Sequence, residues 1–364
     1  MTLDRRTFMQ ALSASAAISL LPRGALAGFA PMPSGWRRFE LTTSVEIARD
    51  GAPVDLWVPV PAVTEENWAR AGQADWTTNA DRAELVTDPE NGARFLHAAW
   101  DSGNAPAKLE LVAKAEAQDR NADLSDTGAG PLSAEDRAYY TAPTALVPTD
   151  GIVKATAKSI IGDATGDLEK ARLIYDWIVL NTTRNPETRG CGLGDVASML
   201  EMNDLTGKCA DLNTLFVGLA RAAGLPARDV YGLRVAPSRF GYKSLGAGSS
   251  DVTKAQHCRA EVFLDGIGWT AVDPADVRKV MLEEPPKNLS LDDPKVADVR
   301  AGLFGAWEGN WVAYNFAHDV ALPGAASGPV SFLMYPEAEI DGAPLDALDP
   351  ASFAYSITAR EIDL

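Results

Sequence analysis

The chain has 364 residues and a net charge of −17, and its 46% apolar content is that of a folded protein rather than a disordered one. Such acidity repels nucleic-acid phosphates and anionic membrane surfaces, and no basic run offsets it. No internal apolar stretch approaches the roughly eighteen residues a spanning helix needs, so neither a nucleic-acid partner nor membrane insertion is expected.

The first residues read as an address. Asp4-Arg5-Arg6-Thr7-Phe8-Met9-Gln10 has the pattern of a twin-arginine export signal, followed by an apolar region from Ala11 to Leu21 and the small-residue pattern Ala25-Leu26-Ala27. Cleavage after Ala27 and a periplasmic destination are expected. Removing residues 1–27 takes away three arginines and one aspartate, which leaves a mature charge of −19.

Residues 28–118 read as an antiparallel β-sandwich-like domain. Arg38 to Ile47 alternates, Asp50-Gly51-Ala52-Pro53 turns, and Val54 to Val60 resumes as a strand. Asn91-Gly92 marks a hairpin, and Lys108 to Ala117 alternates again. From Asp119 to Pro131 the composition is that of a linker, placed over residues 119–148. Helical spacing takes over after Thr149. Leu168, Ala171, Leu173, Ile174, Trp177 and Ile178 form one apolar stripe, Asp195 is an N-cap, and a further helix begins near Cys209 and stops at Gly224 and Pro226. Strands return at Asp229 to Val235, His257 to Leu264 and Trp269 to Val272, which makes residues 149–280 an α+β core. Residues 281–364 form a C-terminal extension, with an aromatic cluster from Trp307 to Phe316 and strand-like ends near Ser331 to Tyr335 and Phe353 to Ile357.

Three cysteines and three histidines lie in the chain, with no C-x-x-C, so neither a metal nor another cofactor is expected. Gly207-Lys208-Cys209 places a thiol at a helix N-terminus, where free backbone N–H groups and the helix dipole favour thiolate. Gly207 is expected to let a substrate approach. His257 opens one strand and Asp273 closes its partner across Asp265-Gly266-Ile267-Gly268. The pleat restricts how these two meet. A four-residue loop would pair Leu264 with Trp269 and put His257 and Asp273 on opposite faces. A three-residue loop, Asp265 to Ile267, pairs Leu264 with Gly268 and makes the two diagonal neighbours, about 7–8 Å apart along the backbones. An odd-length loop or a compensating bulge is therefore expected, with the Asp273 carboxylate near Nδ1 of His257. Cys258 should point away from His257 and be unable to pair with Cys209, and Cys191, in Gly190-Cys191-Gly192, has the reach for a Cys191–Cys258 disulfide.

GKCADLNTLFVGLARAAGLPAR (207–228) followed by HCRAEVFLDGIGWTAVDP (257–274) resembles the transglutaminase-like superfamily, in particular its secreted bacterial branch of cysteine peptidases, amidases and acyltransferases. The resemblance implies a papain-like transglutaminase core, a helix-borne cysteine against an antiparallel sheet. It implies Cys209 as nucleophile, His257 as general base and acid, and Asp273 as orienting carboxylate. It further implies an amide or peptide substrate. Where the family commonly carries an aromatic residue after Trp-x-x-x-Asn, Arg184 follows Trp177 and Asn181, which leaves the second oxyanion donor open. Hydrolysis is expected through a thioester; the alternatives are a protein-glutamine acyltransferase and a non-catalytic peptide-binding module. His97 is read as a packed residue of the β-domain, His318 as bordering the cleft, and Trp307 and Trp311, one helical turn apart, as core. Substrate identity and oligomeric state stay open.

Overall fold

The computed structural model describes residues 28–125 and 128–363. The export signal expected over residues 1–27 lies outside them.

Six strands come first: β1 (Arg37–Ile47), β2 (Val54–Pro59), β3 (Ala69–Thr78), β4 (Arg82–Thr87), β5 (Arg94–Trp100) and β6 (Ala107–Ala117). They divide between two antiparallel sheets whose apolar faces meet. Val45, Ile47, Leu109 and Leu111 of one sheet pack against Val54, Leu56, Val58 and Leu96 of the other. Alternation in β6 is complete, with Leu109, Leu111, Ala113 and Ala115 buried between more exposed polar residues, as a one-sided sheet requires. β3 escaped the sequence reading because its inward residues are mostly small and its outward ones polar, so its hydrophobic period is faint.

The sandwich is finished by the far end of the chain. β15 (Glu337–Ile340) pairs with β2, and β17 (Tyr355–Ile362) pairs with β1 over eight residues from Val45↔Tyr355 to Arg38↔Ile362. β16 (Ala343–Pro344) returns on β15 as a short hairpin. Ser331 to Tyr335, expected as a strand, is irregular; strand structure begins at Glu337 instead.

Of residues 119–148, expected as a linker, the described ones, 119–125 and 128–148, are built into the fold. β7 (Arg120–Asn121) pairs with β13 (Ala306–Trp307), and a helix covers Ala134–Thr141 with Ser133 as its N-cap. The reason is electrostatic. Arg120 is buried to meet Glu261, which is itself fully buried and also bonds Arg228 at 2.5 Å. A polar stretch that supplies the partner of a buried carboxylate cannot behave as a free tether.

The core carries a four-stranded antiparallel sheet in the order β12-β11-β10-β14, from β10 (Ala227–Arg234), β11 (Gln256–Leu264), β12 (Gly268–Val272) and β14 (Trp311–Asn315). Its fourth strand lies past residue 280, so the sheet draws on the segment expected as an extension. The helix Cys209–Ala222 crosses one face of this sheet, with Leu215, Phe216 and Leu219 fully buried against Ala260, Val262 and Leu264. Each such side chain contributes roughly 1.5–3 kcal/mol. Helices Gly151–Ile161 and Asp167–Asn181 close the outer side. On the opposite face Val230 and Ala271 meet Trp68 of the β-domain together with Trp307 and Trp311. Both tryptophans are buried as expected, but on strands: the four-residue spacing spans β13, a turn and β14 rather than one helical turn.

Candidate active site

Cys209 is the first residue of its helix and 4% exposed. The turn before it is held by Asp211, whose carboxylate accepts from the backbone N–H of Lys208 at 2.9 Å, Leu193 at 3.0 Å and Gly194 at 3.1 Å. One side chain thus ties the 190–194 loop to the helix start. Two glycines make room for it. A Cβ on Gly192, whose φ is +94°, would lie 1.9 Å from the Asp211 carboxylate, and one on Gly207 would lie 2.4 Å away. Gly207 is therefore required by Asp211 packing.

The β11–β12 hairpin has the odd register. Leu264 pairs with Gly268, Ala260 with Val272, and the three-residue loop is followed by Gly268 at φ +96°. His257 and Asp273 are accordingly diagonal, and His257 Nε2 meets Asp273 Oδ2 at 2.8 Å. The expected nitrogen was Nδ1. Bridging a diagonal takes the ring atom farthest from the backbone, which is Nε2, and this leaves Nδ1 for the thiol side. Asp273 also N-caps the helix Pro274–Glu283, accepting from Asp276 N at 3.1 Å.

Four residues to which the sequence gave no part in the site lock this geometry. Asn213, one turn after Cys209, donates to Cys258 O at 2.8 Å and Asp273 Oδ1 at 3.0 Å, and its own oxygen accepts from Ala275 N at 3.2 Å. A fully polar side chain on the buried face of an apolar helix was its only sequence signal. Trp311 Nε1 donates to His257 O at 2.9 Å. Asp276 places Oδ2 3.5 Å from His257 Nε2 while pairing with Arg234 at 2.6 Å. Arg259 Nε stands 3.7 Å from Asp273 with its guanidinium over Trp311.

Charge follows from these neighbours. Hydrogen bonding from Cys191, then from Cys258, pulls the Cys209 thiol well below the usual thiol range; burial opposes this, and His257 adds a hydrogen bond and its charge. Burial and the Arg234 charge lower the His257 pKa, but the Asp276 and Asp273 carboxylates outweigh them and raise it. Asp273 is raised, by burial first and by the like charge of Asp276 second. Burial would raise Asp276 too, yet Arg234 holds it well below the ordinary carboxylate range. A low thiol beside a raised imidazole is the condition for a thiolate–imidazolium pair.

All three cysteines are free and buried. The Cys191–Cys258 disulfide that the sequence allows is not formed, and Cys258 makes no disulfide with Cys209, although packing brings the two together. Cys258 does alternate away from His257, but the helix covers that other face, so Cys258 sits in the cluster with Cys209, Ala210 and Leu212. Cys191 is positioned by its carbonyl, which accepts from Ala210 N at 2.8 Å.

A cavity of about 860 Å³ opens over Cys209 and His257. Its far wall comes from the chain's end, with Tyr335, Leu348, Phe353 and Tyr355, none of which any motif marked. Gln256 also lines it, and its side-chain nitrogen is buried with no hydrogen-bond partner among the described residues. Arg184, in the expected aromatic place, is half-buried on Glu283. His97 stacks on Trp57 and bonds Asp55 at 2.8 Å, a packed residue of the sandwich. His318 pairs with Asp229 at 3.0 Å and packs edge-on against Tyr231, away from the cavity wall. His257, Asp273 and Asp276 bring ligand-type atoms within 4.8 Å of one another, though Arg234 and Arg259 crowd the same carboxylates with positive charge.

A candidate cysteine protease from Cytophaga hutchinsonii superposes with a TM-score of 0.50 at 16% identity, over 90% of this chain and 99% of that one. The periplasmic domain of TgpA from Pseudomonas aeruginosa gives a TM-score of 0.34 at 12% identity, over 68% and 90%. The fold is an α+β, transglutaminase-like one. Residues 154–274 match the Transglutaminase-like superfamily, and the chain belongs to it. An uncharacterized protein of Haemophilus influenzae is 36% identical over 323 residues, 85% of this chain and 86% of its own. No helix among the described residues is long and apolar enough to cross a membrane.

Proposed function

We propose that this protein cleaves an amide or peptide bond with Cys209 as nucleophile, His257 as general base and then acid, and Asp273 as the carboxylate that orients the ring. The observation that carries the reading is the His257–Asp273 bond of 2.8 Å beside a helix-start thiol whose pKa is held down. The thiolate attacks the carbonyl carbon, the imidazolium protonates the departing amine, and a thioester remains on Cys209. Water then attacks the thioester with the neutral imidazole taking its proton, which returns the free thiol. The oxyanion of each step is stabilised by the Cys209 backbone N–H, which takes no acceptor among the described residues, and by the unspent Gln256 amide on the cavity wall. Hydrolysis is preferred to acyl transfer because water is the abundant acceptor and no feature of the site selects an amine.

Export belongs to the same proposal and is supported by Arg5-Arg6, the apolar region and Ala25-Leu26-Ala27. A mature protein starting at Gly28 in the periplasmic fraction is its check. For the chemistry, Cys209→Ala must abolish both labelling by iodoacetamide at this position and acyl-enzyme capture from a peptide mixture, read by mass spectrometry. Full amide turnover in that variant would end the proposal.

A further inference from the structure

The cavity over Cys209 is cationic in a protein that is strongly acidic. Six basic side chains line it, Arg184, Arg189, Lys208, Arg234, Lys254 and Lys279, against the single carboxylate of Asp251. The chain as a whole carries −17, so the cavity inverts the sign of its surroundings. Part of this charge is answered from behind the wall. Arg234 is matched by Asp276 at 2.6 Å, and Arg189 meets Asp346 where both are exposed, a pair that solvent screens. Arg184 and Lys279 share one carboxylate, that of Glu283. Lys208 and Lys254 have no ion-pair partner among the described residues, and Lys208 directly precedes Cys209. A protonated His257 adds to the same field.

Uncompensated cations in a concave site have an energetic meaning. Field lines concentrate in a cleft with low-dielectric walls, which raises the local concentration of anions and repels cations. A neutral ligand that displaced water here would strip Lys208 of hydration without replacing it, whereas a carboxylate would replace that hydration with a charge-assisted bond. We propose that the site takes anionic acyl donors, peptides that carry carboxylates next to the scissile amide, with Lys208 and Lys254 as the groups that select them. The inference rests on Cys209 as the reactive thiol.

Two alkylating reagents of like size and different charge test this on the full chain without a known substrate. Iodoacetate carries a carboxylate and iodoacetamide does not, and peptide mass mapping reports each at Cys209. The expected ratio of iodoacetate to iodoacetamide rates at Cys209 exceeds that of the urea-unfolded chain by on the order of tenfold at low salt, and falls as salt is added. Lys208→Gln and Lys254→Gln should each lower the ratio several-fold, on the order of 3-fold. Taking the ratio removes any general change in thiolate content that Lys208→Gln brings, and Lys254 is exposed, so its replacement leaves the core untouched. If iodoacetamide reacts but the ratio matches that of the unfolded chain, or ignores both substitutions, the charge selection falls and the thiol reading stands. If neither reagent modifies Cys209, the thiol reading falls and this inference with it.

Discussion

Asp273→Asn separates orientation from charge at the proposed site. The amide keeps an oxygen for Asn213 and for the N-cap bond to Asp276 N, both now made through Oδ1. What is lost is the negative oxygen 2.8 Å from His257 Nε2. Two unit charges at that separation interact by about 6 kcal/mol at an effective dielectric of about 20. Asp276, 3.5 Å away, keeps its own attraction of about 5 kcal/mol for the imidazolium, so the ring loses a little over half of its carboxylate support. The direction is fixed by linkage. The folded His257 pKa is raised, so its carboxylate-supported charge is present at low pH and lost as pH rises through that pKa. Weakening the support brings that loss to lower pH, and the Cys209 thiol, which the imidazolium helps to hold down, must rise. The expected result is an acid limb of iodoacetamide alkylation displaced upward by about two pH units, with amide turnover near neutral pH reduced about a hundredfold. The assay is the pH dependence of alkylation at Cys209, with circular dichroism to show that the fold is kept. A variant that folds and shows the parental limb would refute the role of Asp273.

Three further outcomes follow from named contacts. Gln256→Leu should cut amide turnover about 10-fold to 100-fold while leaving iodoacetamide alkylation of Cys209 unchanged, since alkylation forms no oxyanion; equal turnover in the two proteins would remove Gln256 as a donor. Gly192→Ala forces a Cβ into the Asp211 carboxylate at a φ of +94°, and should lower stability by more than about 2 kcal/mol in urea titration together with slower alkylation of Cys209. Denatured without reductant, the protein should titrate as three free thiols, because Cys191, Cys209 and Cys258 are unbridged; a count of one would contradict the structure.

Much of the site is legible in a short stretch of chain because its geometry is local. Gly207-Lys208-Cys209 begins a helix, and the odd hairpin register follows from pleat parity and two glycines of positive φ, Gly266 and Gly268, with no knowledge of the rest of the fold. The same parity argument put Cys258 on the face away from His257, correctly, but parity says nothing about which face a helix will cover. That was decided by the apolar side chains of the Cys209 helix landing on Ala260, Val262 and Leu264. The partners of buried charge were equally beyond local reading. Arg120 lies 141 residues from Glu261, so a segment of linker composition became a structural strap. Asp276 and Arg259 act on the His257–Asp273 pair only through distances that the folded sheet creates. The cavity wall from Tyr335 to Tyr355 exists because β17 returns to β1 more than 300 residues later and fills the strand edge that β6 leaves open. Sequence period determines what an element buries and which residues share its face; only the packed chain determines what comes to lie against that face, since the interactions responsible are short in space and unbounded in sequence.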